Sequence, residues 1–396
     1  MNTISDPVVI VSASRTPMGS FQGCFRSLSA SELGTVAIRS ALAKTNLAND
    51  QIEEVIMGNV LMAGQGQAPA RQATLRAGLA QSTNCTTINK MCGSGMKAVM
   101  LAHDQLIAKS NRMIIAGGME SMTNAPYLLP KARSGQRMGH GHLIDSMFYD
   151  GLEDAYQKGQ LMGSFAELCA DQYAFTREQQ DEFAICSLNR ARSASDSGDF
   201  DLEIAPVTVH TRNQEILITN DEQPFSANIE KIPYLKPAFR KNGTVTPANS
   251  SSISDGASAL VLMLESTAVA ENLTPLARII GQTTHAQDPS WFTTAPIYAI
   301  KKVLKKTGLT INDVDLFEVN EAFAVVTMSA MNELDIPADL MNIRGGACAL
   351  GHPIGASGAR ILTTLLHNMH DHSCKVGVAS LCIGGGEATA MALERY

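Results

Sequence analysis

The sequence is poor in the features that mark nucleic-acid-binding and membrane proteins. Aromatic residues make up 5% of its 396 residues, and tryptophan occurs once. The 31 Lys and Arg residues are outnumbered by 38 Asp and Glu, and they form no basic stripe that could neutralise phosphates. No apolar run approaches the roughly 20 residues that a membrane-spanning helix needs. Nucleic acids and membranes are therefore not expected partners.

Signals for export and for disulfide or zinc stabilisation are also lacking. No Lys or Arg precedes Arg15, so the start of the chain does not resemble a signal or transit peptide. The last three residues are not a peroxisomal signal. Eight cysteines are scattered without C-x-x-C spacing, which argues against a disulfide framework or a zinc ribbon. We expect reduced thiols in a cytoplasmic protein.

The chain contains an internal repeat. Residues 37–47 align without gaps on residues 299–309, and six of the eleven positions are identical. Each copy continues through a polar turn into an apolar segment, 52–57 in the first and 314–319 in the second. Both copies are therefore predicted to form a helix, a turn and a buried strand.

A second correspondence follows further along the two copies. Ser94-Gly95 matches Ser357-Gly358, each pair opens a predicted amphipathic helix, and an apolar strand follows at 112–117 and at 375–380. Alternating helices and apolar strands indicate parallel or mixed sheets covered by helices. We expect an α/β protein made of two halves related by a pseudo-twofold axis.

Between the copies lies a region rich in Gly, Pro and Ser, with one predicted helix from about 177 to 194. We interpret residues 121–252 as an insertion that recognises the substrate, a solvated spacer being the alternative. The predicted domains are then a first half at 1–120, completed by about 253–274, and a second half at 275–396.

Cys92 and His352, each of which precedes one of the paired helices, could form a nucleophile and its base. Cys92 lies just before a helix predicted to begin near Met96, and the positive end of a helix favours thiolate over thiol. The alternative is a small buried cysteine in a tight turn. His352 lies on the loop that opens the equivalent helix of the second copy. If the two helix N-termini face each other, His352 approaches Cys92 as its base; a histidine that caps backbone carbonyls is the alternative.

Three further polar features follow predicted strands of the second copy. Cys382 stands beside the run Gly384 to Gly386, whose backbone N–H groups could form an oxyanion pocket or a phosphate-binding turn. Asn320 and Glu321 follow the strand that ends at Val319, where α/β proteins place their sites. Asn320 could hold a water or a carbonyl oxygen, whereas Glu321 could be a structural acid.

Taken in order, these sequence strings resemble the thiolase family, and within it the acetoacetyl-CoA thiolases. They are the string around Cys92, NEAFA from 320, GHPIGASGAR from 351 and CIGGG from 382, and the resemblance extends over essentially the whole chain. It implies a fold of two βαβαβαββ halves with a loop domain inserted in the first. It also implies reversible Claisen condensation of two acetyl-CoA to acetoacetyl-CoA plus CoA, by a ping-pong route through acetyl-Cys92.

The resemblance assigns a role to each catalytic position. Cys92 matches the nucleophile, His352 the base that activates it, and Cys382 the thiol that exchanges the α-carbon proton. Asn320 matches the residue holding the water that forms one oxyanion hole with His352, and the N–H groups of Cys92 and Gly384 match the other hole.

The resemblance also implies substrate contacts. Ser251 and Phe239 match pantetheine contacts, and Met162 and Phe323 match the lining of the acyl pocket, to which we add Leu152. Where acetoacetyl-CoA thiolases usually carry His-Met-Gly, this chain has Leu161 before Met162. Many thiolases have an Arg where this chain has Phe225, so the CoA phosphates are expected to meet other cations, namely Lys231, Lys236, Arg240 or Lys241.

The expected partners are acetyl-CoA, acetoacetyl-CoA, CoA and further copies of the chain in a dimer or tetramer. No resident cofactor or metal is predicted, although the resemblance allows a monovalent cation. One alternative function is a broader-chain 3-ketoacyl-CoA thiolase of fatty-acid degradation; a ketoacyl synthase is disfavoured by Cys382. The alternative of a different class is a non-catalytic acyl-CoA-binding homologue.

Overall fold

A computed structural model describes residues 6–396, beginning with the first half of the repeat. The elements of this half alternate between strand and helix, and all but one of its longer strands are buried. In chain order they are β1 (Val8–Arg15), β2 (Gly19–Ser20), α1 (Ala30–Ala43), β3 (Glu54–Gly58), α2 (Pro69–Arg76), β4 (Asn84–Ile88), α3 (Ser94–Ile107) and β5 (Met113–Ser121).

The inserted region contains mostly short elements and two longer helices. They are β6 (Tyr127–Leu128), β7 (Ile144–Asp145), α4 (Met162–Tyr173), α5 (Arg177–Ser197), β8 (Val207–His210), β9 (Glu215–Ile218) and α6 (Gln223–Ser226). Helix α5 is the predicted one; it is capped by Thr176 and ends at Gly198, whose φ is 81°. Helix α4 was not predicted, because the residue before it, Leu161, gives no side-chain cap that would mark its start.

The chain then completes the first half and forms the second. The elements are β10 (Ser254–Leu264), α7 (Glu265–Ala270), β11 (Ala277–Ala286), α8 (Ala295–Thr307), β12 (Leu316–Val319), α9 (Ala324–Leu334), α10 (Ala347–Leu350), α11 (Ser357–Asp371), β13 (Val376–Ile383) and β14 (Glu387–Arg395). The division into domains at 120 and 253 stays a prediction, since the elements alone do not define domains.

The sheet repeats one pattern on either side of its centre. Its order is β12-β13-β14-β11-β1-β10-β5-β3-β4, with β2 beside β10. In each half parallel strands are followed by an antiparallel strand, β10 between β5 and β1, and β14 between β13 and β11. In the second half the counterpart of β4 is reduced to a bridge between Phe317 and Met341. The predicted α/β class and the order βαβαβαββ are confirmed, and the halves join in one ten-stranded sheet through β1 and β11.

Helices α3 and α11 meet at their N-termini, where the two halves come together. A side chain at Gly95 would lie 2.8 Å from the backbone nitrogen of Ala359, and one at Gly358 would lie 2.4 Å from that of Met96. Only glycine permits so close an approach of two backbones. The predicted meeting of the two helix N-termini is therefore confirmed. None of the helices formed by residues 6–396 is long and apolar enough to cross a bilayer.

Candidate active site

A cavity of about 440 Å³ lies between the inserted region and the loops that precede α3 and α11. Apolar side chains from both sources form most of its wall. Eight residues singled out from the sequence line it: Cys92, Leu152, Met162, Phe239, Ser251, Phe323, His352 and Gly384. Asn320 and Cys382, the other two site residues predicted from the sequence, are buried. Asn320 lies against His352, and Cys382 lies near Cys92.

Cys92 is presented by a tight turn between β4 and α3. Met91, just before it, has a φ of 48°, a left-handed conformation that is uncommon outside glycine. The hydroxyl of Ser94 holds this turn, because it accepts a hydrogen bond from the Lys90 N–H at 2.8 Å and donates one to the Met91 carbonyl at 2.6 Å. The helix begins at Ser94, two residues earlier than predicted.

The expectation that the helix N-terminus keeps Cys92 as a thiolate is wrong for the free protein. Burial raises the pKa of Cys92 to about 11, and a hydrogen bond from the Gly384 N–H only partly opposes it. Desolvation of the charged sulfur therefore outweighs the local N–H groups. Cys92 is a thiol at neutral pH and needs a base to become a nucleophile.

His352 has the properties of such a base. Burial, and then the charge of Arg360, lower its pKa to about 3, so its imidazole is neutral at pH 7. Its Nδ1 lies 2.6 Å from Ser357 Oγ and 3.4 Å from Asn320 Nδ2. Its Nε2 is buried and has no hydrogen-bond partner in the described part of the chain. The ring bonds to a side-chain hydroxyl and not to a carbonyl, which contradicts the capping alternative.

Asn320 and Glu321, adjacent in sequence, have different surroundings. The Oδ1 atom of Asn320 is buried without a hydrogen-bond partner among residues 6–396, as expected of an acceptor that faces a bound water. Glu321 instead accepts hydrogen bonds from Ser187 Oγ at 2.7 Å, Asn342 Nδ2 at 2.8 Å and the Cys348 N–H at 3.1 Å. Its carboxyl group thus connects the inserted helix α5 to the second half. These contacts agree with the expectation that Glu321 is a structural acid.

Cys382 lies buried near the end of β13, just before the glycine turn. Burial raises the pKa of Cys382 well above its usual value, and the nearby Cys92 raises it further. In the turn, Gly385 and Gly386 have φ values of 92° and 87°, which only glycine adopts readily. Because the N–H of Gly384 interacts with the Cys92 sulfur, this turn is directed at the thiol.

The four cations expected near the CoA phosphates are not equivalent. Arg240 is bonded to Asp171 at 2.6 and 2.9 Å and to Glu167 at 3.2 Å, so its guanidinium is already neutralised. The three lysines are exposed: Lys231, Lys236 and Lys241.

Two buried polar residues around the site were missed from the sequence. Glu120 accepts hydrogen bonds from the N–H groups of Val60, Leu61 and Gly355, and so fixes the loop that carries His352. Ser357, used only as a marker of the repeat, contacts the imidazole. Its match to Ser94, which lies two residues after Cys92, is a signal that could have singled it out. In residues 6–396 no three His, Cys, Asp or Glu side chains are placed to hold a metal ion.

The buried imidazole predicts a loss of stability in acid. Between pH 6.5 and about 3 the unfolded chain binds a proton at His352 that the folded chain does not, so lowering the pH should destabilise the protein by up to about 1.4 kcal/mol per pH unit through this group. Glu120 and Glu318, whose pKa values burial raises to about 7 and about 8, act in the opposite direction.

Urea unfolding of the parent and of His352→Asn at pH 7 and pH 5 isolates the histidine contribution. We expect the parent to lose more stability than the variant between the two pH values. Equal losses would show that His352 is not held neutral by the fold.

Comparisons with known proteins agree over the full length. Residues 8–266 match the family model of the thiolase N-terminal domain, and residues 273–395 match that of the thiolase C-terminal domain. An acetyl-CoA acetyltransferase of Schizosaccharomyces pombe is 46% identical over 99% of this chain and 100% of its own. A probable acetyl-CoA acyltransferase of Staphylococcus aureus is 45% identical over 98% and 99%.

Solved structures give the same result. The acetyl-CoA acetyltransferase of Bacillus anthracis superposes with a TM-score of 0.96 at 38% identity, covering 99% of both chains. The Acat5 thiolase of Ascaris suum, in complex with coenzyme A, gives 0.93 at 41% identity, covering 98% of this chain and 100% of its own. The chain therefore belongs to the thiolase family and is an acyltransferase.

Proposed function

We propose that the protein is an acetyl-CoA C-acetyltransferase, which condenses two acetyl-CoA to acetoacetyl-CoA plus CoA and catalyses the reverse thiolysis through acetyl-Cys92. The observation that carries this proposal is one cavity lined by Cys92 and by a neutral His352, whose Nε2 has no hydrogen-bond partner among residues 6–396, with the buried thiol of Cys382 near Cys92. A nucleophile, its base and a separate acid or base for carbon chemistry are the groups that the reaction needs.

In the first half-reaction His352 Nε2 takes the proton of Cys92, and the sulfur attacks the thioester carbonyl. The oxyanion that forms is stabilised by the N–H groups of Cys92 and Gly384. The carbon–sulfur bond to CoA then breaks, and the CoA thiolate takes the proton of Cys382. The products are acetyl-Cys92, free CoA, a protonated His352 and a Cys382 thiolate.

In the second half-reaction the Cys382 thiolate removes the α-proton of another acetyl-CoA. His352 and a water held by Asn320 stabilise the enolate oxygen, and the α-carbon attacks the carbonyl of acetyl-Cys92. The released Cys92 sulfur recovers its proton from His352, so every group returns to its starting state.

A broader-chain 3-ketoacyl-CoA thiolase is the second candidate, because the cavity wall is largely apolar. Phe148, Leu161 and Phe292 line it together with Leu152 and Phe323. Thiolysis rates on four-carbon and longer 3-ketoacyl-CoA substrates distinguish the two, and we expect the four-carbon substrate to be cleaved faster. Faster cleavage of longer chains would favour the second candidate, and no cleavage of either would favour a non-catalytic binding protein.

The direct test of the proposal is to find the acylated residue. We expect that incubation with acetyl-CoA releases CoA and leaves an acetyl group on the peptide containing Cys92, detected by mass spectrometry after an acid quench. Cys186 is exposed and lies outside the cavity lining, so its peptide is an internal control for non-specific acetylation. Acetylation of Cys186 without Cys92 would contradict the mechanism.

We further propose that copies of the chain associate through β4. Within residues 6–396 this edge strand pairs only with β3, and its residues are exposed or half-buried, which leaves backbone N–H and C=O groups for a second strand. We expect sedimentation to give a dimer or tetramer, and we expect Thr86→Lys on β4 to lower the mass. Leu217→Lys, on the exposed strand β9, is the control. An unchanged mass for both would place the contact elsewhere.

Exposed Lys231, Lys236 and Lys241 are the proposed partners of the CoA phosphates. A cytoplasmic location rests on composition alone and stays a prediction, as does a dependence on monovalent cations.

A further inference from the structure

We propose that the Ser357 hydroxyl is a positioning group that keeps the imidazole proton of His352 on Nδ1, so that Nε2 remains free to act as a base. This inference rests on the proposed function, in which His352 activates Cys92. It adds a condition that the function requires. A neutral imidazole carries one proton, and if that proton were on Nε2 the ring could not accept another from Cys92 at that atom.

The contacts of Ser357 indicate where its own proton lies. Its Oγ is 2.6 Å from His352 Nδ1 and 3.0 Å from the carbonyl oxygen of Pro353. A carbonyl oxygen can only accept, so both contacts of Oγ are hydrogen bonds at once only when the hydroxyl proton points to Pro353. The lone pairs of Oγ are then directed at Nδ1, which must donate. The other polar group near Nδ1 is Asn320 Nδ2, which can only donate and lies 3.4 Å away, so a protonated Nδ1 makes its single hydrogen bond to Ser357 and none to Asn320.

The first half of the repeat supports this assignment, because the donor and acceptor roles of its serine are unambiguous. Ser94, the counterpart of Ser357, bonds to one backbone N–H, that of Lys90, and to one carbonyl, that of Met91. An N–H can only donate and a carbonyl can only accept, so the Ser94 hydroxyl accepts from the nitrogen and donates to the oxygen. In the second half Ser357 likewise contacts one nitrogen and one carbonyl oxygen, but here the nitrogen is Nδ1 of the His352 imidazole.

No stronger group competes for Nδ1. No carboxylate is bonded to the ring, and Ser357, Asn320 and His352 are all buried. A neutral hydroxyl can orient the ring without adding a charge to this site. The serine therefore acts through the histidine, as a third group that orients a catalytic base.

Side-chain nitrogen NMR of the full-length protein tests the tautomer independently of activity. The protein is labelled with ¹⁵N-histidine, and the His352 signals are identified as those lost in His352→Asn. We expect a protonated Nδ1 and an unprotonated Nε2 in the parent protein. A protonated Nε2 in the parent overturns the inference.

Kinetics of a matched set of variants tests the consequence. We expect Ser357→Ala to slow acetyl-Cys92 formation about 10- to 100-fold, less than the 10²–10⁴-fold effect typical of a catalytic base itself, with KM for acetyl-CoA unchanged. Ser357→Thr, which keeps a hydroxyl, should retain most of the rate. Ser329→Ala is the control, because Ser329 is also a buried helical serine, but its hydroxyl donates to the Val326 carbonyl, away from the cavity.

The outcomes separate this inference from the proposed function. If the parent protein does not acetylate Cys92, the proposed function fails. If the parent acetylates Cys92 while folded Ser357→Ala does so at the parent rate, only the role of Ser357 fails. A fall in rate shared equally by Ser329→Ala would show a general packing effect and would also overturn the inference.

Discussion

Cys92→Ala should abolish acyl-enzyme formation, whereas Cys382→Ser should still form acetyl-Cys92 but fail to condense it with a second acetyl-CoA. Acylation requires a nucleophile, a base and an oxyanion hole, and the CoA thiolate can leave without a strong acid. Carbon–carbon bond formation also needs a base at the α-carbon, and a serine hydroxyl is far less acidic than a thiol. Because acid–base groups contribute about 10²–10⁴-fold in rate, condensation should fall by at least that factor.

Two measurements on each variant test this division between the thiols. Release of CoA in a single turnover reports acylation, and formation of acetoacetyl-CoA reports condensation. Cys374→Ser is the control, because Cys374 is half-buried, precedes β13 at the end opposite Cys382 and does not line the cavity, so this variant should keep both activities. Condensation by Cys382→Ser at the parent rate, or loss of acylation in the folded variant, would show that the roles are assigned wrongly.

Arg15→Met should destabilise the protein by about 3–5 kcal/mol, because it leaves buried carboxylates without a counter-charge. Arg15 is fully buried; its guanidinium binds both oxygens of Asp221 at 2.7 and 2.9 Å and also bonds to Glu203. Burial alone would lower the pKa of Arg15, but the two carboxylates raise it above its usual value, so the arginine stays charged. The cluster joins the end of β1 to the inserted region, and its loss should weaken that connection.

An exposed ion pair elsewhere in the chain provides the comparison. Arg278 binds Glu394 at 2.6 Å, but its side chain is 43% exposed, so Arg278→Met should cost no more than about 1 kcal/mol. Urea unfolding of both variants under identical conditions gives the two free energies. Similar losses in the two variants would mean that the Arg15 cluster is worth no more than a surface pair.

Much of the fold was predictable because the repeat supplied both the elements and their arrangement. Once Ser94-Gly95 and Ser357-Gly358 are matched, the meeting of two helix N-termini follows from pseudo-symmetry, and so does the placement of Cys92 and His352 in the wall of one cavity. These conclusions depend on sequence similarity within the chain, which a single sequence contains.

Other features depend on residues that are distant in sequence. The partners of Arg15 are Glu203 and Asp221, whose positions gave no sign of a shared cluster. The protonation state of Cys92 was predicted wrongly for a similar reason. A helix N-terminus can be read from local sequence, but the depth of burial that raises the pKa of the thiol exists only after both halves and the insertion have packed.

The glycine contact between α3 and α11 has a consequence for how such a site can arise. One turn before a helix occurs twice in the chain, and the two helices meet at Gly95 and Gly358 because these glycines have no side chain that would separate them. If two identical halves met in this way, both turns would present the same group. Joined in one chain, the two turns differ, and a thiol from one and an imidazole from the other line the same cavity. Neither half contains a complete site, so an isolated half should be chemically inert even if it folds.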